Sequence, residues 1–182
     1  MKKVLLPLAQ GCEELEAVTI IDLLRRAGIE VVTAGLDEQA VIASRGVRLL
    51  ADVQLDDVMD QQFDMLVLPG GLPGADHLDA DRRIHALLQK MSQDGSYTAA
   101  ICAAPKVLAQ AGLLDGKAAT GYPGVLDSME LPATQISGDA VVIDGKVVTS
   151  RGPGTAMEFA LTLIAQLLGE EKRNEVEQAL VR

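Results

Sequence analysis

The sequence predicts an α/β protein with a doubly wound sheet whose central strands are parallel. Short apolar runs alternate along the chain with amphipathic segments of helical period, the pattern of repeated strand–helix units. The 182 residues are enough for a sizeable core, and we expect them to form one domain, residues 1–182. Functional sites in such sheets form at the carboxyl ends of the strands.

The first half of the chain supplies three strands, a hairpin and two helices. The predicted strands are Val4–Ala9, Glu30–Leu36 and Met65–Leu68, and the predicted hairpin pairs Val41–Ala43 with Val47–Leu50. The predicted helices are Glu13–Arg26 and Asp81–Met91. Apolar residues recur near helical spacing in the first helix, so we expect it to bury one face against the sheet.

The second half adds strands, helices and the loops that end them. The predicted strands are Thr98–Cys102, Ala140–Ile143 and Lys146–Thr149, and the predicted helices are Pro105–Ala111, Thr155–Leu168 and Glu171–Val181. Four loops are expected at the carboxyl edge of the sheet: Gly11–Glu16, Pro69–Gly74, Cys102–Pro105 and Ser150–Gly154.

Cys102 stands at the turn between a buried strand and a helix. Pro105 is tolerated in the first turn of that helix, and the alanines between them leave room for a substrate. The helix dipole and the unpaired N–H groups at such a turn favour a thiolate, which is the nucleophilic form of cysteine. We therefore expect a reactive Cys102 with a lowered pKa. The alternative is a buried cysteine that acts as a small hydrophobic residue.

Three carboxylates follow the first strand. Glu13 and Glu14 fall in the first turn of a helix, where acidic side chains complement the dipole. Glu16 lies one turn further and could reach across the strand edge towards Cys102. A partly buried carboxyl there would have a raised pKa, could donate a hydrogen bond to sulfur and could shuttle a proton.

Composition argues against two classes of partner. The net charge is −10 and aromatic residues make up 2%, so the basic and aromatic surface of a nucleic-acid-binding protein is not expected. No apolar run reaches the length of a membrane span. The segment from Met1 to Cys12 superficially resembles a lipoprotein signal, but its apolar run is short and contains Pro7. We expect a first strand there and a cytoplasmic location.

Two cysteines and two histidines give no disulfide framework and no recognisable zinc site, so we expect no metal. We expect His77 and His85 at the surface. Cys12 is expected to be a passive small residue, with a resolving thiol as the alternative.

Four segments together resemble the ThiJ/PfpI family, also called DJ-one. They are Gly11-x-Glu13-Glu14-x-Glu16, Leu68-Pro69-Gly70-Gly71, Ala99-Ala100-Ile101-Cys102-Ala103-Ala104-Pro105 and Thr149-Ser150-Arg151-Gly152-Pro153-Gly154-Thr155. Each is weak alone, but the four occur in the right order and span nearly the whole chain. The segment Thr120-Gly121-Tyr122-Pro123 is most similar to the YajL-type branch.

The resemblance implies a flavodoxin-like, class I glutamine amidotransferase-like three-layer sandwich that forms a homodimer. It also implies that Cys102 is the nucleophile at an elbow, that Glu16 is a protonated carboxyl beside it, and that no cofactor is used. The backbone N–H groups of Gly71 and Ala103 would hold an oxyanion. The candidates for the pocket or the dimer edge are Gly70, Tyr122, Arg45 and Arg151, where the two arginines could hold anions or make ordinary structural pairs.

The chain departs from the family pattern in its histidines. Many relatives place a histidine directly after the cysteine, where this chain has Ala103, and others supply one from the segment that here contains Tyr122. Without a paired imidazole, Cys102 must depend on local donors. This weakens a PfpI-type peptidase or amidase assignment, because such enzymes protonate an amine leaving group.

The leading functional hypothesis is therefore a cofactor-independent glyoxalase or deglycase. Its substrates would be methylglyoxal, glyoxal or their early glycated adducts, in the context of oxidative and carbonyl stress, with Cys102 as nucleophile and Glu16 as proton shuttle. The alternative is a redox-sensing chaperone whose Cys102 oxidises to a sulfinic acid and whose partners are unfolded client proteins.

Overall fold

Seven strands form the central sheet of the computed structural model, which describes residues 1–181. In chain order, the strands of the molecule are β1 (Lys3–Leu8), β2 (Glu30–Gly35), β3 (Val41–Ile42), β4 (Arg48–Leu49), β5 (Val53–Gln54), β6 (Met65–Leu68), β7 (Tyr97–Ile101), β8 (Ala118–Ala119), β9 (Gln135–Ile136), β10 (Val141–Asp144) and β11 (Val147–Ser150). The helices are α1 (Glu14–Arg26), α2 (Gly74–Ala80), α3 (Arg82–Gln93), α4 (Pro105–Gln110), α5 (Ala156–Leu168) and α6 (Glu170–Ala179).

The spatial order of the main sheet is β10-β11-β7-β6-β1-β2-β5. Every neighbouring pair is parallel except β10 and β11, which form an antiparallel hairpin. The strand order reverses at β1, because the chain first adds β2 on one side and later adds β6 on the other. The predicted doubly wound sheet with parallel central strands is confirmed, and its carboxyl edge beside β1 is where such folds place their sites.

Helices cover both faces of the sheet. Leu6 and Val67 point into a core formed with α1 and α5, whereas Leu5 and Leu66 point into a second core formed with α3 and α4. Successive strand residues therefore bury on opposite faces, which explains why the central strands read as continuous apolar runs. Among residues 1–181, none of the helices has the length and apolar character needed to cross a bilayer.

Several short elements were not predicted. The helix α2 follows the glycine loop directly, and only two of its side chains beyond Gly74 are buried, Ala75 and Leu78. The strands β5, β8 and β9 contain two residues each, too few to show an alternation in the sequence. The start of the second predicted helix also shifts from Asp81 to Arg82, because the Asp81 side chain accepts a hydrogen bond from the Arg83 N–H and caps α3.

Candidate active site

Cys102 lies directly after β7 in a backbone conformation that is rare for a residue with a side chain. Its φ is 63°, in the left-handed region. The Cys102 N–H donates to the carbonyl of Ser150 at 3.0 Å, and the Cys102 carbonyl accepts from the Tyr122 N–H at 2.8 Å. Two segments from elsewhere in the chain therefore hold this turn in place.

Gly70, at the end of the β6 loop, makes room for this thiol. A Cβ atom at position 70 would lie 2.6 Å from Cys102 Cβ, 2.7 Å from the Ile101 carbonyl oxygen and 2.8 Å from Glu16 Oε2. No side chain fits there without displacing backbone, so glycine is required by close approach. The same distances show that Cys102 and Glu16 meet at this point, since Cys102 Cβ and Glu16 Oε2 are at most 5.4 Å apart.

The Glu16 carboxyl is completely buried on the first turns of α1, with 0% of the residue exposed. Its Oε2 accepts a hydrogen bond from the Gly70 N–H at 2.8 Å, and the neighbouring Cys102 thiol also favours the charged carboxylate. Within residues 1–181, Oε1 has no hydrogen-bonding partner. Burial raises the pKa of Glu16 to about 7, although the contacts from Gly70 and Cys102 oppose the rise. The predicted raised pKa of Glu16 agrees with this environment.

The prediction that Cys102 has a lowered pKa is wrong for this resting structure. Burial, together with the neighbouring Glu16 charge, raises the pKa of the Cys102 thiol to about 12, while N–H groups of Gly71 and Ala103 oppose the rise. The helix contributes little because α4 has only six residues and begins three positions after Cys102, at Pro105. The sulfur therefore carries its proton near neutral pH, and the adjacent carboxyl is the group that titrates there.

The backbone N–H groups of Gly71 and Ala103 both lower the pKa of the Cys102 thiol, which places them on the side of its sulfur. Gly71 has a φ of 85°, and a Cβ there would lie 2.4 Å from the Glu13 backbone nitrogen. Only glycine can turn the loop so that its N–H faces the sulfur. The two predicted oxyanion donors thus converge on the atom at which a substrate carbonyl would react, as an oxyanion site needs.

Tyr122 and Arg151, two further predicted residues, belong to the segments that adjoin the Cys102 turn. Tyr122 is 51% exposed, and its ring packs over Gly152, where an added Cβ would be 3.4 Å from the ring. Arg151 is exposed and donates from Nη1 to the Gly138 carbonyl at 3.0 Å. Both residues line two adjoining clefts of about 260 and 440 Å³.

Arg45 is exposed on the turn at residues 44–47, and that turn has an anchor that was not predicted. The Glu14 carboxylate accepts from the N–H groups of Arg45 and Val47 and from Ser44 Oγ. Burial alone would raise the pKa of Glu14, but these bonds and one from its own N–H hold it below the ordinary value. Glu14 therefore positions the hairpin as well as complementing the helix dipole, which sequence spacing alone could not indicate.

Cys12, His77 and His85 are the other thiol and the two imidazoles of the chain. Cys12 is completely buried in the core, where burial raises its pKa to about 12. His77 is exposed and bonds the Gln10 carbonyl, and His85 is half-buried beside Asp79. Neither of these histidine hydrogen bonds involves Cys102.

Comparison with known proteins identifies the lineage of this site. A profile described as the DJ-1/PfpI family matches residues 2–166. The chain belongs to the DJ-1/PfpI family. Members of this family have the flavodoxin-like, class I glutamine amidotransferase-like fold, so the three-layer sandwich expected from the resemblance is confirmed. The YajL-type branch stays a prediction.

Three relatives illustrate the similarity. Protein DJ-1 homolog B of Arabidopsis thaliana is 47% identical over 99% of this chain, which covers 41% of that relative. Protein dj-1beta of Drosophila melanogaster is 44% identical, covering 99% of this chain and 97% of the relative. The Caenorhabditis elegans protein named glutathione-independent glyoxalase DJR-1.2 is 38% identical, covering 95% of this chain and 91% of the relative.

Solved structures agree closely with the fold. The crystal structure of Drosophila melanogaster DJ-1beta superposes with a TM-score of 0.94 at 44% identity, covering 99% of this chain and 97% of that one. Oxidized Toxoplasma gondii DJ-1 also gives 0.94, at 40% identity, covering 100% and 98%. The chain spans less than half of the length of the two Arabidopsis relatives that it matches.

Proposed function

We propose that this protein is a cysteine-dependent, cofactor-independent glyoxalase or deglycase that acts on methylglyoxal-type aldehydes and their early adducts. The observation that carries the proposal is the convergence of one thiol, one buried carboxyl and two backbone N–H groups, from Cys102, Glu16, Gly71 and Ala103. The glyoxalase name of the Caenorhabditis elegans relative supports the same reaction class.

In the first step, the sulfur of Cys102 attacks the aldehyde carbon of methylglyoxal and a C–S bond forms. Because the thiol is protonated at rest, its proton must leave as the bond forms, and the Glu16 carboxylate beside it accepts that proton. Transfer also removes the Glu16 charge that disfavours the thiolate. The aldehyde oxygen becomes an oxyanion held by the N–H groups of Gly71 and Ala103. Glu16 then gives the thiol proton to this oxygen, which yields a neutral hemithioacetal and restores the Glu16 carboxylate.

In the second step, the hemithioacetal rearranges without an external oxidant. Glu16 takes the proton from the former aldehyde carbon and returns it to the adjacent ketone carbon, while the hydroxyl proton of the hemithioacetal moves to the ketone oxygen. The first carbon is thereby oxidised and the second is reduced. The product is a lactyl thioester on Cys102. Water then cleaves the thioester, releasing lactate and restoring the thiol, and the net change is the addition of one water molecule to methylglyoxal. A carboxyl whose pKa is about 7 suits both directions of transfer near neutral pH.

The test is lactate formation from methylglyoxal without glutathione, followed by an enzymatic lactate assay. The wild-type protein and a Cys12→Ser control should both produce lactate, because the Cys12 side chain is completely buried and its thiol has no part in the proposed steps. The Cys102→Ser variant should be inactive. Lactate formation by Cys102→Ser at the wild-type rate would end this proposal.

A second function, redox sensing coupled to chaperone activity for unfolded client proteins, is favoured by one observation. The N–H groups of Gly71 and Ala103, which favour negative charge on the Cys102 sulfur, would together with a protonated Glu16 also stabilise the oxygens of a sulfinate. Mild peroxide followed by mass measurement should then add two oxygens to Cys102 and change the suppression of client aggregation. If Cys102 stayed unmodified, or if its modification did not change that suppression, redox sensing would be refuted and only the enzyme proposal would remain.

We further propose that two copies of the chain form a homodimer. Four apolar side chains are exposed on or beside α1 and α5, which pack together: Leu15 (51%), Val18 (47%), Val47 (47%) and Met157 (38%). Glu14 ties the turn of Val47 to the start of α1, which makes these side chains neighbours. A Leu15→Asp, Val18→Asp double variant should halve the mass measured by sedimentation, whereas an unchanged mass would refute this interface.

A further inference from the structure

A cleft of about 550 Å³ lies at the carboxyl ends of β1 and β2, and the proposed chemistry does not use it. Its apolar lining comes from Leu8 at the end of β1, Leu36 after β2, Val41 of β3 and Ala80 at the end of α2. This volume is within the range of small-molecule sites, and an apolar floor at this edge of a doubly wound sheet is typical of them.

The walls of the cleft are tied to one another by hydrogen bonds. The Gln10 side chain donates to the Ala40 carbonyl at 3.1 Å and accepts from the Ile42 N–H at 2.9 Å, which fixes Val41 between them. The Gln10 carbonyl in turn contacts His77 Nδ1 at 2.8 Å. Since a carbonyl can only accept, Nδ1 carries a proton, and Nε2 of a neutral His77 is left as an acceptor.

The opposite wall is fixed by Arg83. Its guanidinium donates to the Leu36 carbonyl at 2.8 Å and to the Asp81 carboxylate at 2.6 Å. The cleft is therefore held in one shape before any ligand arrives, and a preformed shape lowers the entropic cost of binding.

Two charged side chains on the rim, Arg82 and Asp37, are not paired with an opposite charge among the described residues. Among the described residues, the Arg82 side chain makes no ion pair or hydrogen bond. Asp37 uses one carboxylate oxygen, which accepts from the Gln39 N–H at 2.8 Å, and its charge is not paired with any cation of the described chain. Asp81 is already neutralised by Arg83.

These charges select the ligand. A phosphate or other multiply charged anion would meet the unpaired Asp37 in a protein whose net charge is −10, and a simple cation would meet Arg82. A zwitterion with an apolar side chain offers a cation for Asp37, an anion for Arg82 and apolar surface for the floor of the cleft. We propose that this cleft binds free α-amino acids with apolar side chains, with the ammonium at Asp37, the carboxylate at Arg82 and the side chain on the apolar floor. This binding site is separate from Cys102 and does not depend on the proposed enzymatic function.

The probe is L-leucine, with binding measured by calorimetry and located by amide chemical shifts. L-leucine should bind saturably and shift the amides of residues 36–41 and 77–82. Two analogues that each lack one charge, 4-methylpentanoate and 3-methylbutylamine, should bind at least about fivefold more weakly, as expected for the loss of one exposed ion pair. Equal binding of either analogue would overturn the zwitterion assignment.

Variants of the rim test the same assignment. Arg82→Ala and Asp37→Asn should each weaken L-leucine binding by about fivefold, and Arg82→Lys by less. Arg48→Ala, which removes an exposed arginine of β4 outside the cleft, is the matched control and should bind as wild type. Cys102→Ser should also bind normally, which separates this inference from the enzyme proposal. No saturable binding by the wild type, or binding that both rim variants retain, would refute the site.

Discussion

Replacing Glu16 with glutamine should change the reactivity of Cys102 and the turnover of aldehydes in opposite directions. Cys102 Cβ and Glu16 Oε2 are at most 5.4 Å apart, and a charged Glu16 disfavours the thiolate. Two unit charges about 5 Å apart repel by about 3 kcal/mol at an effective dielectric constant of about 20, which is about a hundredfold in the thiolate-to-thiol ratio. Glutamine keeps an oxygen for the Gly70 N–H but removes the charge.

The assay is alkylation by iodoacetamide at pH 9, where Glu16 of the wild type is ionised because its pKa is about 7. Cys102 in the Glu16→Gln variant should be alkylated up to about a hundredfold faster. Methylglyoxal turnover should fall by at least about a hundredfold, since no group remains to accept and return the proton. Mass measurement confirms that the buried Cys12 stays unmodified.

The matched control is Glu13→Gln, one turn earlier on the chain. The Glu13 charge raises the pKa of Glu16 and Cys12 but is not among the main causes of the raised pKa of Cys102, so alkylation should stay near the wild-type rate. If Glu16→Gln were alkylated no faster than wild type, the electrostatic coupling would be refuted. If its turnover rose together with its thiol reactivity, Glu16 would not be the proton shuttle.

Three further predictions concern stability. Folded Glu16 releases its proton at pH about 7 rather than at its ordinary 4.5, so the folded state binds the extra proton and wild-type stability falls as pH rises between these values. Urea unfolding should therefore show Glu16→Gln gaining about 3 kcal/mol on wild type between pH 4.5 and pH 8, and a constant difference would contradict the buried carboxyl. Gly70→Ala should lower the free energy of unfolding by about 1–3 kcal/mol and abolish turnover, whereas Gly138→Ala, where an added Cβ meets nothing within 4 Å, should change neither. Glu14→Gln should speed amide hydrogen exchange at residues 45 and 47 without reaching Cys102, and unchanged exchange there would show that the carboxylate is not the anchor.

The placement of Cys102 and Glu16 could be predicted because local patterns specify it. A buried apolar run followed by Cys102, small residues and Pro105 defines a strand that ends in a turn, and parallel strands bring their carboxyl ends to one edge. Glu16 follows from the same geometry on the next helix. Gly70 carries a similar signal, since glycines beside a strand end indicate close backbone approach.

The protonation of Cys102 could not be predicted in the same way. Its pKa depends on how deeply three separate loops bury the sulfur and on the charge of Glu16, and neither is visible in the local sequence. The Glu14 anchor has the same origin, because its partners at residues 44–47 lie about 30 positions away. Helix α2 was missed because a short helix that buries few side chains leaves too little periodicity to detect.

The most direct test of the enzymatic account is to stop a reaction of the protein with methylglyoxal in acid after less than one turnover and map the modified peptide. The account predicts an adduct of one methylglyoxal on Cys102 that hydroxylamine removes, as expected for a thioester, and that forms at least as fast as lactate appears. Steady lactate production with Cys102 unmodified throughout would contradict it.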